Sequence, residues 1–296
     1  MSLAAPTWFS QAVSTPFSTH TIDVDDCNIV YQRWAASSDK PALLLVHGNG
    51  AHAGWWDFIA PNFLDRFQVA ALNLSGMGDS GHRERYTSDL FVKEVIAVSD
   101  AAGFNEPLLL GHSFGGRLSF HVMKSHPDKI AGVIMADSPF HNDNHLKRFH
   151  TRRRETKPNK HYPSLEEALA RFRLSPIQPP AADFIMDYIG RRSIKQEDKG
   201  WTWKFDPKVW AEFDYLGFLS VMPEAGDNVL AMIYGAHSVL YEMGNLDFNR
   251  QIFADLGLPE LICIDNAYHH LLLDQPLEFM AICNRLLDNY LAKQGS

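Results

Sequence analysis

PLLLGHSFGGRLSF, residues 107 to 120, runs from an apolar stretch into a serine framed by glycines, then resumes at a different period. A short, continuous apolar run is the pattern of a strand buried on both faces. Residues 114–125, stopping before Pro127, have the spacing of a helix. Gly111-His112-Ser113-Phe114-Gly115 is therefore a G-x-S-x-G set between a strand and a helix. In so sharp a turn the serine is held in a strained backbone conformation with its Oγ exposed. The residues two before and two after it crowd each other, so both are glycine. Ser113 is a nucleophile candidate that needs a base.

Other strands of this kind lie on both sides. ALLLVH (42–47), VAALNL (69–74), IAGVIMA (130–136), VLAMIY (229–234) and ELICI (260–264) are also short apolar runs, and helical patterns occupy 88–102, 114–125 and 276–292. Strand and helix in alternation predict an α/β fold with a mostly parallel central sheet flanked by helices. Residues 19–35 alternate and break at Asp25-Asp26, which predicts an N-terminal hairpin. The alternation fails over 140–225, a stretch rich in charge, aromatics and proline. It reads as a mostly helical cap inserted after the sixth strand, with a helix at 164–173 opened by the capping box of Ser164 and Glu167. Residues 1–139 and 226–296 then form one core domain.

A serine hydroxyl is a weak nucleophile at neutral pH, so it needs a base, and the base needs an orienting group. NAYHHLLLDQP (266–276) follows the last apolar run and carries two histidines on the same sheet edge as Ser113. Position alone allows either His269 or His270. One oxyanion donor should be the backbone N–H of Phe114, the residue after the nucleophile, and the other should come from the loop after ALLLVH.

With HGNGAHAGWW (47–56), NLSGMGDS (73–80) and GHSFGG (111–116), the chain resembles the α/β-hydrolase superfamily over most of its length. Asn73 stands where that family usually has aspartate. The resemblance implies an α/β-hydrolase fold, with the N–H of Asn49 as the second oxyanion donor. It also implies His269 as the base, through the family's spacing to Pro276. The family usually places its acid after the seventh strand as G-x-x-D, but Gly235-Ala236-His237-Ser238 has no carboxylate. A second arrangement puts the acid at the end of the preceding strand, where Asp137 stands. Asp137 is thus the expected acid, with Glu242 in reserve and Asp247 behind it. The resemblance implies a serine hydrolase, foremost a carboxylic ester hydrolase working through an acyl-enzyme. A carbon-carbon bond hydrolase, a cofactor-free perhydrolase and a non-catalytic ligand-binding protein are the alternatives. The family's epoxide hydrolases and haloalkane dehalogenases use aspartate where Ser113 stands.

Composition narrows the partners. The chain has 296 residues, 46% hydrophobic and 12% aromatic, and a net charge of -8, which disfavours a nucleic-acid partner. No apolar run reaches membrane-spanning length and the start MSLAAPTWFSQAVSTPF has no signal-peptide pattern, so a cytoplasmic location is expected. Cys27, Cys263 and Cys283 lack C-x-x-C spacing and read as reduced core residues. His141 and His145 stand four apart, but HNDNH favours a loop and no third ligand is evident, so no metal is expected there. GNG (48–50) and GMG (76–78) lack the spacing of a phosphate loop, and no cofactor is expected. The basic run 147–160 reads as a solvated face of the insertion. Trp55, His112 and Phe140 are the expected substrate-binding residues, with Trp56, Phe172, Trp201 and Trp203 as further aromatics for an apolar pocket. The expected partner is a small ester or acyl substrate, with a homodimer as the oligomeric form to consider.

Overall fold

The computed structural model describes residues 4–35, 37–150 and 157–294. The elements run α1 (Thr7–Val13), β1 (Phe17–Asp23), β2 (Asn28–Trp34), β3 (Ala42–Val46), β4 (Gln68–Leu72), α2 (Ser88–Ala101), β5 (Leu108–His112), α3 (Phe114–Ser125) and β6 (Gly132–Ala136). Next come α4 (Asp143–His150), α5 (Leu165–Leu169), α6 (Asp183–Arg192), β7 (Ile194–Glu197), β8 (Gly200–Trp203), α7 (Lys208–Glu212) and α8 (Tyr215–Ser220). The chain closes with β9 (Val229–Gly235), α9 (Asn245–Asp255), β10 (Ile262–Ile264), α10 (Leu271–Asp274) and α11 (Pro276–Gln294).

Eight strands form one sheet in the order β1-β2-β4-β3-β5-β6-β9-β10. β1, β2 and β4 pair antiparallel, and every pairing from β4 to β10 is parallel. Asp25 and Asp26 turn the β1–β2 hairpin with φ of 49° and 60°, the left-handed pair that a tight hairpin turn requires. β3, β4, β5 and β6 are buried at every residue. Their side chains alternate between two cores: Leu44 and Val46 join α2 and α3 on one face, while Leu43 and Leu45 join α11 and α1 on the other. Burial on both faces explains the unbroken apolar runs.

The segment between β6 and β9 differs in detail from its reading. It is not helical throughout: β7 and β8 form an antiparallel hairpin. Gly200 sits at φ 117° in that hairpin, where a Cβ would stand 2.5 Å from the Tyr162 carbonyl oxygen. Ser164 does cap α5, accepting from the Glu167 N–H at 3.2 Å, but the helix ends at Leu169. The stretch after His141 is helical rather than a loop, because Asn142 Oδ1 accepts from the His145 N–H at 2.9 Å and caps it. In the basic run 147–160, residues 151–156 lie outside the described residues. All three cysteines are free, but Cys263 is exposed on the edge strand β10 rather than core-filling. Among the described residues no helix is long and apolar enough to cross a membrane.

Candidate active site

Ser113 joins β5 to α3 at φ 55° and ψ −119°, a backbone region that a residue with a Cβ occupies only under strain. Its N–H bonds to the Ala136 carbonyl at 2.8 Å, which ties the turn to the end of β6. A Cβ on Gly111 would lie 2.3 Å from the Gly115 carbonyl oxygen, and one on Gly115 would lie 2.3 Å from that of Val46. Both glycines are therefore steric requirements of the turn.

Asp137 follows β6 directly, fully buried and at φ 48°. Its Oδ2 stands 2.7 Å from His269 Nδ1. A carboxylate only accepts, so Nδ1 carries the proton and the lone pair sits on Nε2. Asp137 also accepts from the Gly235 N–H at 3.0 Å and from the Ser238 hydroxyl at 2.5 Å. Gly235-Ala236-His237-Ser238, where the family's usual acid is missing, thus supplies two donors that orient Asp137. Glu242 and Asp247 are both exposed, and Asp247 pairs with Arg250 at 3.6 Å.

The His269 loop is fastened from below and above. Asp274 Oδ2 accepts from the Tyr268 N–H at 2.8 Å, and Asp274 accepts from Gln178 Nε2 at 2.9 and 3.1 Å. Gln178 Oε1 in turn accepts from the His270 N–H at 3.1 Å. Gln178 belongs to the insertion, and nothing in its proline-rich surroundings marked it. Burial pushes the Asp274 carboxyl up to about 6. The folded chain therefore holds this proton more tightly than the unfolded chain, and stability falls as pH rises from about 4 to about 6. Asp274→Asn removes that ionisation. Between pH 5 and pH 7 its melting temperature should gain on the wild type by about 2 °C or more. A gap that does not change with pH would show that Asp274 does not titrate in this range.

The two expected oxyanion residues are held by one helix. The Phe114 ring stacks on Phe218 of α8 with centroids 4.8 Å apart, and the Asn49 side-chain amide donates to the Tyr215 hydroxyl of α8. α8 itself is held from α3, where buried Arg117 donates to the carbonyls of Val221, Leu219 and Phe218 at 2.6, 3.3 and 3.4 Å. The Asn49 loop passes close to the serine: a Cβ on Gly48 would lie 3.3 Å from Ser113 Cβ. Asn73, at the family's usual aspartate, accepts from the Ala53 N–H at 2.8 Å through Oδ1. The amide oxygen there makes a backbone bond that a carboxylate oxygen could equally make.

A cavity of about 310 Å³ opens beside Asn49, Trp55 and His270, with Phe172 and Trp203 of the insertion on its other wall. Trp55 lines this cavity. His112 is buried behind the wall, with its Nε2 2.9 Å from the His269 carbonyl oxygen. Phe140 leaves the expected substrate wall. It is fully buried against Phe120 at 4.9 Å and under the Arg117 guanidinium at 4.4 Å, because the chain turns outward from the sheet there and α9 covers it. Trp56 is likewise core, with no exposed surface. His141 and His145 are neighbours after all, with Nδ1 atoms 3.3 Å apart.

Residues 41–187 match the family model described as alpha/beta hydrolase fold. Over 111 residues the chain is 27% identical to Epoxide hydrolase 4 of Homo sapiens, a match covering 36% of this chain and 31% of that protein. Over 107 residues it is 33% identical to Lipase LipV of Mycobacterium tuberculosis, covering 36% of this chain and 40% of the lipase. The matched stretch thus spans well under half of each relative's length. Among solved structures, E-2-(acetamidomethylene)succinate hydrolase superposes with TM-score 0.75 at 17% identity, over 92% of this chain and 100% of that one. A novel esterase from Mycobacterium tuberculosis superposes with TM-score 0.68 at 18% identity, over 95% of each chain. Sheet order, strand-to-helix serine turn and family match agree, and the chain belongs to the α/β-hydrolase superfamily.

Proposed function

We propose that the protein is a serine hydrolase that cleaves carboxylic esters through an acyl-enzyme. The observation that carries this reading is the 2.7 Å contact of Asp137 with His269 Nδ1 on the sheet edge that bears Ser113. It leaves Nε2 with the lone pair that takes the Ser113 proton as Oγ attacks the ester carbonyl. The carbonyl oxygen becomes an oxyanion between the backbone N–H groups of Asn49 and Phe114, and its collapse expels the alcohol, protonated by His269. Water, deprotonated by the same histidine, then releases the acid. Asp137 orients the imidazole and stabilises its charged form without taking its proton.

Proteins named as epoxide hydrolases and as lipases both occur among the relatives. A serine at the turn favours the acyl route, since a serine ester of a carboxylic acid is what water can readily hydrolyse. A cavity of about 310 Å³, at the small end of ligand pockets, is lined by Asn49 and His270 rather than by Ser113 and His269 themselves, and a substrate reaching from it to Ser113 would be an ester of modest size. Residues 140–225 are proposed to act as a cap over this pocket.

The test is hydrolysis of p-nitrophenyl esters of increasing chain length, together with labelling by a serine-directed phosphonate. Expected are turnover that peaks at short to medium acyl chains and a single label on Ser113. A folded protein that neither turns over any ester nor takes the label would favour a ligand-binding role for the fold. Labelling without ester turnover would retain the nucleophile and move the substrate to another acyl class.

A further inference from the structure

Three histidine rings meet beside the nucleophile, and acyl transfer employs only one of them. His112, His269 and His270 are all buried, and one ring nitrogen from each lies within 4.8 Å of the other two. The rings pack against one another with centroids 4.8 to 5.5 Å apart.

Their hydrogen bonds decide which lone pairs are available. His269 gives its Nδ1 proton to Asp137, so Nε2 has the lone pair. His112 gives its Nε2 proton to the His269 carbonyl at 2.9 Å, so its lone pair is on Nδ1, a buried atom with no hydrogen-bond partner. That nitrogen faces the Gly48 and Ser113 corner, since a Cβ on Gly48 would lie 2.9 Å from it. In His270 neither ring nitrogen completes a hydrogen bond, although the Ser175 backbone lies near the ring. Buried side-chain nitrogens without partners are rare; here they stand together. One imidazole bound to a carboxylate and another to a backbone carbonyl is the outer arrangement typical of metal-ligating histidines.

We propose that His112 Nδ1, His269 Nε2 and a ring nitrogen of His270 form a three-nitrogen site for a divalent cation of the zinc class, and that this cation is an inhibitor of the enzyme. Zinc bonds imidazole nitrogen at about 2.1 Å, which places tetrahedral ligand nitrogens roughly 3.4 Å apart. One ring nitrogen of each histidine already lies within 4.8 Å of the other two, so the rings must rotate and close by about an ångström or more to present the three lone pairs at that spacing. The fourth position falls to water or to Ser113 Oγ, and the Asp137 carboxylate on the far side of His269 offsets part of the added charge. The inhibition rests on the ester-hydrolase reading: the metal takes the His269 lone pair that must receive the Ser113 proton, so metal and turnover exclude each other. The binding does not rest on it.

The first measurement is binding of Co²⁺ and Zn²⁺ to Ser113→Ala, by the visible absorption of cobalt and by calorimetry against a competing chelator. One ion per chain with a tetrahedral cobalt spectrum is expected, and binding should weaken by at least about tenfold in His270→Gln and in His112→Gln. Each variant is first matched to its parent by thermal melting, and two variants are used so that a folding failure in one leaves the other decisive. The second measurement is ester hydrolysis by the wild type under chelator-buffered Zn²⁺. Inhibition at the concentrations that fill the site, reversed by EDTA, is expected. Absence of stoichiometric binding, or binding indifferent to both variants, overturns the site. Binding at the site without inhibition overturns the inhibitory role. An enzyme inactive on every ester would sink the ester reading while the cobalt titration still decides the site.

Discussion

Ser113→Ala is expected to lower kcat for a p-nitrophenyl ester by about 10⁶-fold, the scale seen when a triad serine is lost. The loss should fall on kcat while KM changes little, because Oγ forms its bond to the substrate only during the reaction. The scaffold should be indifferent. Alanine carries the same Cβ as serine into the φ 55° turn, and the Ser113 side chain does not cap α3. The melting temperature should therefore stay within about 2 °C of wild type. A residual rate above water is expected from the backbone donors at Asn49 and Phe114, which alanine leaves in place. If the variant kept more than about a hundredth of the wild-type kcat, Ser113 would not be the nucleophile.

Asp137→Asn should cost about 10⁴-fold in kcat. The size of the effect follows from the tautomer. Asp137 Oδ2 accepts the Nδ1 proton of His269 at 2.7 Å, whereas an asparagine amide turned toward that nitrogen offers a donor and draws the proton to Nε2. The imidazole then has no lone pair for Ser113. The amide oxygen can still accept from Gly235 at the Oδ1 position, where the bond is 3.0 Å, so the chain should fold with a modestly lower melting temperature. Glu242→Gln and Asp247→Asn are the controls. Both side chains are exposed, and both variants should keep kcat within about twofold of wild type. A few-fold effect from Asp137→Asn beside a large one from Glu242→Gln would transfer the role of the acid.

Much of this site was legible in one dimension because its constraints are local. A strand buried on both faces writes itself as an apolar run, and β3, β4, β5, β6 and β9 all lie within two residues of such runs. The turn at Ser113 demands glycine at 111 because of its own backbone, while the demand at 115 comes from the end of β3 beside it. Resemblance then singled out His269 over His270, which periodicity could not do.

What escaped the sequence depends on residues far apart in the chain. Tyr215 reaches Asn49 across 166 residues and Gln178 reaches Asp274 across 96, with no periodic pattern to announce either contact. The β7–β8 hairpin is held partly by the bridge of Tyr162 to Trp201, a pairing outside its own strands. Phe140 looked like a pocket residue by composition, but only the packing of α9 and Arg117 decided that it is core. For the acid, resemblance put Asp137 ahead of Glu242 and Asp247, while the 2.7 Å contact of Asp137 with His269 Nδ1, beside two exposed alternatives, is a matter of how the ends of β6 and β9 meet the loop after β10. The sequence by itself determined the strands, the serine turn and the inventory of partners, since backbone sterics and burial period act over a few residues. Only the tertiary structure decided which partners meet, because hydrogen-bond geometry is set by packing between segments that the chain keeps far apart.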